Sequence, residues 1–180
     1  MSKNVIATAL IAALGFAALA PNQASAADGT INITGTVNAS TCKINGGSSP
    51  VTVNVALPTV STTSLNASGA VAGRTAFALN LTACTAGTKA QAFFEPGTTI
   101  MADGNLKNAS GTATAVEVQL LNSNFSTINL AGTSSTQASQ QITTDSSGNG
   151  ALNYYAQYFA TGAAGAGSVN TSVQFTMLYQ

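Results

Sequence analysis

Apolar residues recur at every second position in run after run of this chain, and that period is the one a β-strand with a single buried face requires. Ile31 and Ile33 alternate with Asn32 and Thr34. Val51, Val53 and Val55 alternate with Thr52 and Asn54. Phe77, Leu79 and Leu81 share one parity on the way to Cys84. Val116, Val118 and Leu120 alternate with Glu117 and Gln119, and Ile128 and Leu130 suggest a short strand after an Asn-rich turn. Leu152, Tyr154, Ala156 and Tyr158 form another run. The last is the longest, with Val169, Val173, Phe175, Met177 and Tyr179 on one parity. Turn clusters separate the runs, among them Asn45-Gly46-Gly47-Ser48, Asp103-Gly104-Asn105 and Ser147-Gly148-Asn149-Gly150. No stretch after residue 26 shows helical periodicity. Several short strands at this spacing predict an all-β antiparallel sandwich.

Charge decides what such a sandwich is not. Only 6% of the 180 residues are charged, against roughly 25% in an ordinary soluble domain. Lys plus Arg number 5 and Asp plus Glu number 5, so nothing is present to neutralise a row of phosphates, and no nucleic-acid partner is expected. Histidine is absent, which removes the commonest general base and a frequent zinc ligand. A Ser-His-Asp triad is therefore impossible. Lys43, Lys89 and Lys107 leave a Ser–Lys dyad as the remaining nucleophilic option. Asp28, Glu95, Asp103, Glu117 and Asp145 form no pair by spacing, so neither an enzyme nor a metal site is expected, and no cofactor. Asp103-Gly104-Asn105 reads as a plain turn, since a calcium loop carries more acids at set positions.

Residues 1–26 read as a secretory signal peptide. Lys3 supplies the positive start, Val5 to Ala20 the apolar run, and Ala24-Ser25-Ala26 the small-residue cleavage site. Export places Cys42 and Cys84, the two cysteines of the chain, where disulfides persist. A bridge between them would close a loop that stabilises by on the order of 4 kcal/mol. The rival reading, a catalytic thiol, lacks a histidine to activate it.

The two ends of the remaining chain complement each other. Val169 to Tyr179 is a strong strand whose apolar face needs a cover, and no strand follows it. Ala27, Gly29, Ile31 and Ile33 form a second strand-like segment set off by Gly35. An uncovered edge invites pairing. The leading arm could fold back on its own domain or add to a second copy, and the second arrangement builds an open filament.

Several segments together carry a family resemblance. They are Gly29-Thr30-Ile31-Asn32-Ile33-Thr34-Gly35-Thr36-Val37 leading to Cys42, Phe77-x-Leu-x-Leu-x-x-Cys84, Val116 to Leu120, Tyr154 to Gly162, Gly167, and Phe175 to Gln180. In these the chain resembles the major shaft subunits of type 1-like fimbriae assembled by the chaperone–usher pathway. The resemblance implies an incomplete immunoglobulin-like sandwich lacking its last strand. It implies residues 1–26 as signal peptide, 27–34 as a donor-strand arm and 35–180 as the pilin domain. Ala27, Gly29, Ile31 and Ile33 would be donor side chains. Val169, Val173, Phe175, Met177 and Tyr179 would line the acceptor groove. Gln180 would offer its carboxylate to a periplasmic chaperone. Other implied partners are further copies of the chain, an outer-membrane usher and fimbrial tip subunits. The implied role is a structural subunit of an extracellular fimbria that supports adhesion and biofilm formation, reached through the periplasm. The alternatives are a minor adaptor or terminator subunit and a single-domain sugar-binding adhesin.

Overall fold

The longest alternating runs become the centre of the fold. In the computed structural model, which describes Ile31, Asn32, Thr34 and residues 42–180, eight strands form. They are β1 (Lys43–Ile44), β2 (Val71–Thr82), β3 (Lys89–Phe94), β4 (Leu106–Lys107), β5 (Val116–Asn122), β6 (Gln141–Thr143), β7 (Gly150–Ala160) and β8 (Phe175–Tyr179). A single 3-10 turn spans Thr62–Leu65, capped by the Ser61 hydroxyl, which accepts from the Thr63 amide at 3.2 Å. The described residues contain no α-helix.

The strands form two antiparallel sheets, one in the order β1-β2-β7-β5-β4 and one in the order β6-β3-β8. Register follows the apolar pattern, because a one-residue slip would turn every buried side chain outward. Phe77 faces Tyr154 and Leu79 faces Leu152 across β2 and β7. Val118 faces Tyr158 and Leu120 faces Ala156 across β5 and β7. The small sheet answers with Ala90, Ala92 and Phe94, which are buried. Tyr154 is fully buried between the layers, its ring 5.5 Å from Phe77 and 5.6 Å from Phe94, with the Phe94 contact edge-on. Its hydroxyl lies 3.1 Å from the Ser139 hydroxyl, and burial raises its pKa above the usual phenol range.

Cys42 and Cys84 are joined by a disulfide. It ties the start of β1 to the end of β2, beside the turn at Gly148. Gly148 has φ +73°, and a Cβ there would overlap the Cys84 carbonyl.

The outward face of the large sheet carries a directed chain of polar side chains. Arg74 Nε donates to Gln157 Oε1 at 2.9 Å, and Gln157 Nε2 donates to Gln119 Oε1 at 2.9 Å. Gln119 Nε2 donates to Asn105 Oδ1 at 3.2 Å. Asn105 Nδ2 then donates to Asp103 at 3.0 Å and to Glu117 at 3.1 Å. Every donor points from the guanidinium toward the carboxylates, so the amide dipoles reinforce one another.

Three local expectations need correction. Ile128 and Leu130 lie in a loop, both fully buried, with the Ile128 amide donating to the Leu120 carbonyl at 2.9 Å. Their alternation serves a plug under the sheet edge. Val51 to Val55 is extended yet belongs to neither sheet. The final run is a strand only over Phe175–Tyr179. β3 carries no clear alternating signal in the sequence, since two of its three inward residues, Ala90 and Ala92, are alanines, which sit as readily in a helix.

Candidate functional site

The two segments that fall short of being strands lie on one feature. A groove of about 1330 Å³ runs between residues 49–57 on one side and 169–179 on the other. Its floor includes Phe77, Leu79, Val118 and Leu120 from the large sheet.

The later wall is half of a ladder. Lys89 and Gln180 exchange both main-chain hydrogen bonds, at 3.0 and 2.9 Å, and the Glu95 amide donates to Gln174 at 2.8 Å. In antiparallel pairing, alternate residues turn their amide and carbonyl to opposite sides. With Ala90 opposite Tyr179 and Phe94 opposite Phe175, the even-numbered residues 174–180 face β3. The odd-numbered ones therefore turn their polar groups to the far edge. The pattern continues before β8. The Thr99 hydroxyl donates to the Ser172 carbonyl at 2.8 Å. The Ala109 amide donates to Asn170 at 2.9 Å, and the Ala113 amide donates to Ser168 at 3.0 Å. Gly167 starts this wall against the loop, where a Cβ would overlap the Ala113 nitrogen.

The earlier wall has no ladder. Among the described residues, the backbone of residues 48–60 makes no hydrogen bond. Its side chains still alternate, with Val51, Val53, Val55 and Leu57 half-buried while Thr52, Asn54 and Ala56 are exposed. Buried amides and carbonyls in folded proteins are almost always paired. A row of unpaired ones above an apolar floor, facing a second such row, is the geometry of a sheet missing a strand.

Each acceptor residue expected from sequence lines this groove: Val169, Val173, Phe175, Met177 and Tyr179. All five are half-buried and packed against the core. Gln180 is exposed at the groove's end of the chain, paired with Lys89. Of the donor set, Ile31 is described and exposed, whereas Ala27, Gly29 and Ile33 lie outside the described residues. Sequence reasoning missed the wall at 49–57, although the alternation of its valines was visible. It also passed over Thr171, which shares the inward parity of the other wall.

The comparisons with known proteins agree with this geometry. The family model described as type-1 fimbrial protein, A, matches residues 57–180. The chain belongs to the type-1 fimbrial protein family. It is 47% identical to the major fimbrial subunit SMF-1 of Stenotrophomonas maltophilia, over 90% of this chain and 98% of that one. It is 39% identical to the F17 fimbrial protein of Escherichia coli, over 93% of this chain and 96% of that one. Among solved structures it is similar to the P pilus rod subunit PapA, with a TM-score of 0.57 at 15% identity, covering 77% of this chain and 99% of PapA. It is also similar to a chain of a chaperone–usher pilus, with a TM-score of 0.56 at 18% identity, covering 86% of this chain and 96% of that one. These two likenesses concern the fold, an immunoglobulin-like all-β sandwich that here leaves one strand position open. This fimbrial protein is a structural subunit and not an enzyme.

Proposed function

We propose that the chain is a fibre-forming subunit that polymerises by donor-strand complementation, the leading arm of one copy filling the groove of the next. The observation that carries this reading is the pair of facing, unpaired main-chain edges over an apolar floor. Adding a strand to an open sheet edge is a known recognition mode, and chaperone–pilin pairs are its standard example. The arm has the matching pattern, with Ala27, Gly29, Ile31 and Ile33 on one parity and polar residues between.

In this reading residues 1–26 direct export and are removed, residues 27–34 are the donor arm, and residues 35–180 are the pilin domain. A periplasmic chaperone holds the groove until an outer-membrane usher exchanges it for the next subunit's arm. Gln180, exposed and last in the ladder with β3, presents the carboxylate the chaperone grips. The product is an extracellular fimbria, joined to tip subunits, that supports adhesion to surfaces or host cells and biofilm formation.

The joint is strong because its terms share a sign. Burying each isoleucine is worth about 1.5–3 kcal/mol, and each ladder hydrogen bond adds a net of about 0.5–1.5 kcal/mol. Two edges receive bonds at once, so the arm leaves only when all are broken. Dissociation is then slow as well as unfavourable.

The test is deletion of residues 27–34 behind an intact leader, with the cognate chaperone and usher present. The expected result is a folded monomer that yields no filaments by electron microscopy and no multimers resistant to mild denaturant. Filaments formed without the arm would refute the assignment.

A further inference from the structure

We propose that the outward face of β2 and β7 holds a site for a carboxylated sugar, with Tyr155 and Phe125 against the sugar rings, Asn153 on a hydroxyl and Arg74 on the carboxylate. Phe77 and Leu79 of β2 turn toward the groove, and Ala76 and Ala78 have the opposite parity. The site therefore lies on the far side of the sheet from the strand exchange proposed above and does not depend on it.

The starting observation is a strained ring. Phe125 has φ +66° and is 51% exposed. The other non-glycine residues at positive φ among the described residues are one asparagine and three alanines. A bulky residue in this region is a genuine outlier, and such strain collects at binding sites. The turn itself asks for no phenylalanine. It is closed by main-chain bonds, the Phe125 amide donating to the Asn122 carbonyl and the Asn122 amide to the Ser126 carbonyl, both at 2.9 Å. Glycine or asparagine would take the same conformation at lower cost.

The Phe125 ring organises its neighbours. Its centre lies 4.9 Å from that of the Tyr155 ring and 4.5 Å from the Arg74 guanidinium carbon. Arg74 Nε is committed to Gln157 Oε1 at 2.9 Å. The terminal nitrogens of this exposed residue make no hydrogen bond among the described residues. A guanidinium held by a ring and an amide, and open at its fork, is suited to a carboxylate, which it takes by two parallel bonds.

Beside Tyr155 the face is hollow. A depression of about 380 Å³ is lined by β2 and β7 alone, including Ala76, Ala78, Asn153 and Tyr155. No residue of the small sheet borders it, so it opens outward. Ligand sites span roughly 300–1,000 Å³, and this one is at the small end. Neither the Asn153 amide nor the Tyr155 hydroxyl has a hydrogen-bond partner among the described residues. A sugar acid uses all of these groups: its C–H faces stack on aromatic rings, its hydroxyls pair with amides, and its carboxylate meets the guanidinium. An acidic peptide would engage Arg74 and leave the hollow unfilled, and a neutral sugar would leave the guanidinium unpaired. Repeated along a fibre, weak sites of this kind gain by avidity, a consequence that rests on the fibre reading.

The test uses the exported chain as a monomer, so that its failure is separate from any failure of polymerisation. Binding of a fluorescein-labelled hyaluronan hexasaccharide, in which glucuronate alternates with N-acetylglucosamine, is followed by fluorescence polarisation. A dextran hexasaccharide and a hexaglutamate peptide carry the same label as controls. The expected result is saturable binding of the hyaluronan fragment, at least tenfold tighter than either control. Arg74→Gln should weaken it at least tenfold, and Arg74→Lys should restore little, because the planar fork is lost. Phe125→Gly should weaken it to a similar degree while leaving the melting temperature unchanged or raised. Equal binding of dextran overturns the acidic class, and equal binding of hexaglutamate replaces the glycan with an acidic peptide. Unchanged affinity in Arg74→Gln, or in Phe125→Gly with a lowered melting temperature, assigns these side chains to packing and overturns the site, as does the absence of binding to the hyaluronan fragment.

Discussion

The strands β2, β7 and β5 and the groove walls at 49–57 and 169–179 are written in the same alternating code and have different fates. Among the central strands β7 is paired along both edges. β2 and β5 are paired with it along one edge and with the two-residue strands β1 and β4 on the other, and Leu152 and Tyr154 of β7 are fully buried. In the walls the inward side chains stop at half burial, and one edge (both edges at 48–60) makes no main-chain bond among the described residues. The apolar pattern settles which face of a strand turns inward. It does not settle whether the strand has two neighbours, and that difference separates a finished core from a binding site.

Substitutions on the two sides should therefore read out differently. Tyr154→Ala, in the finished core, should cost about 3–5 kcal/mol of monomer stability in urea unfolding, because two aromatic contacts and a hydrogen bond go with the ring. Breaking the Cys42–Cys84 bridge by a double Ser replacement should cost on the order of 4 kcal/mol, measured the same way. On the walls, Val53→Ala and Val173→Ala should cost the monomer only about 1 kcal/mol each. The same variants should shorten the lifetime of multimers in denaturant by a larger factor, since the joint buries what the monomer leaves half-exposed. Equal losses in monomer and multimer would erase the distinction between core and wall.

The smallest effect belongs to the outward polar chain. Burial raises the Glu117 pKa above the ordinary carboxylate range, and the neighbouring Asp103 pushes the same way, against the Asn105 hydrogen bond that lowers it. Lys107 lies opposite Glu117 across the strand pair, and Arg74 reaches it only through three amides. The native state thus holds a proton more readily than the unfolded chain. Its stability falls as pH rises through the raised value and is unaffected by this group below the ordinary range. Glu117→Gln should accordingly stabilise the domain modestly at neutral pH and leave it unchanged in acid. A gain independent of pH would mean that packing, not charge, is the cause.

Much of the fold was readable along the chain because a two-residue period is local. Phe77-Leu79-Leu81, Val116-Val118-Leu120 and Leu152-Tyr154-Ala156 each announced a face, and all three became paired strands. β3 did not, since Ala90 and Ala92 are too small to mark a face. Ile128 and Leu130 misled in the other direction, because two alternating residues fit a buried loop as well as a strand. Of the groove, the wall with Val173, Phe175 and Met177 was legible. The wall with Val51, Val53 and Val55 was visible as an extended run but not as a wall, since which segments face each other is a long-range property.

The sequence by itself determined an all-β chain of low charge, without histidine, with one cysteine pair and with an alternating segment near each end. Those properties depend on residue identity and near-neighbour spacing. Only the tertiary structure decided that residues 48–60 and 169–179 flank a common opening and that their free edges face it. Each of those depends on which backbone groups are already satisfied, and that is known only after the other strands have paired.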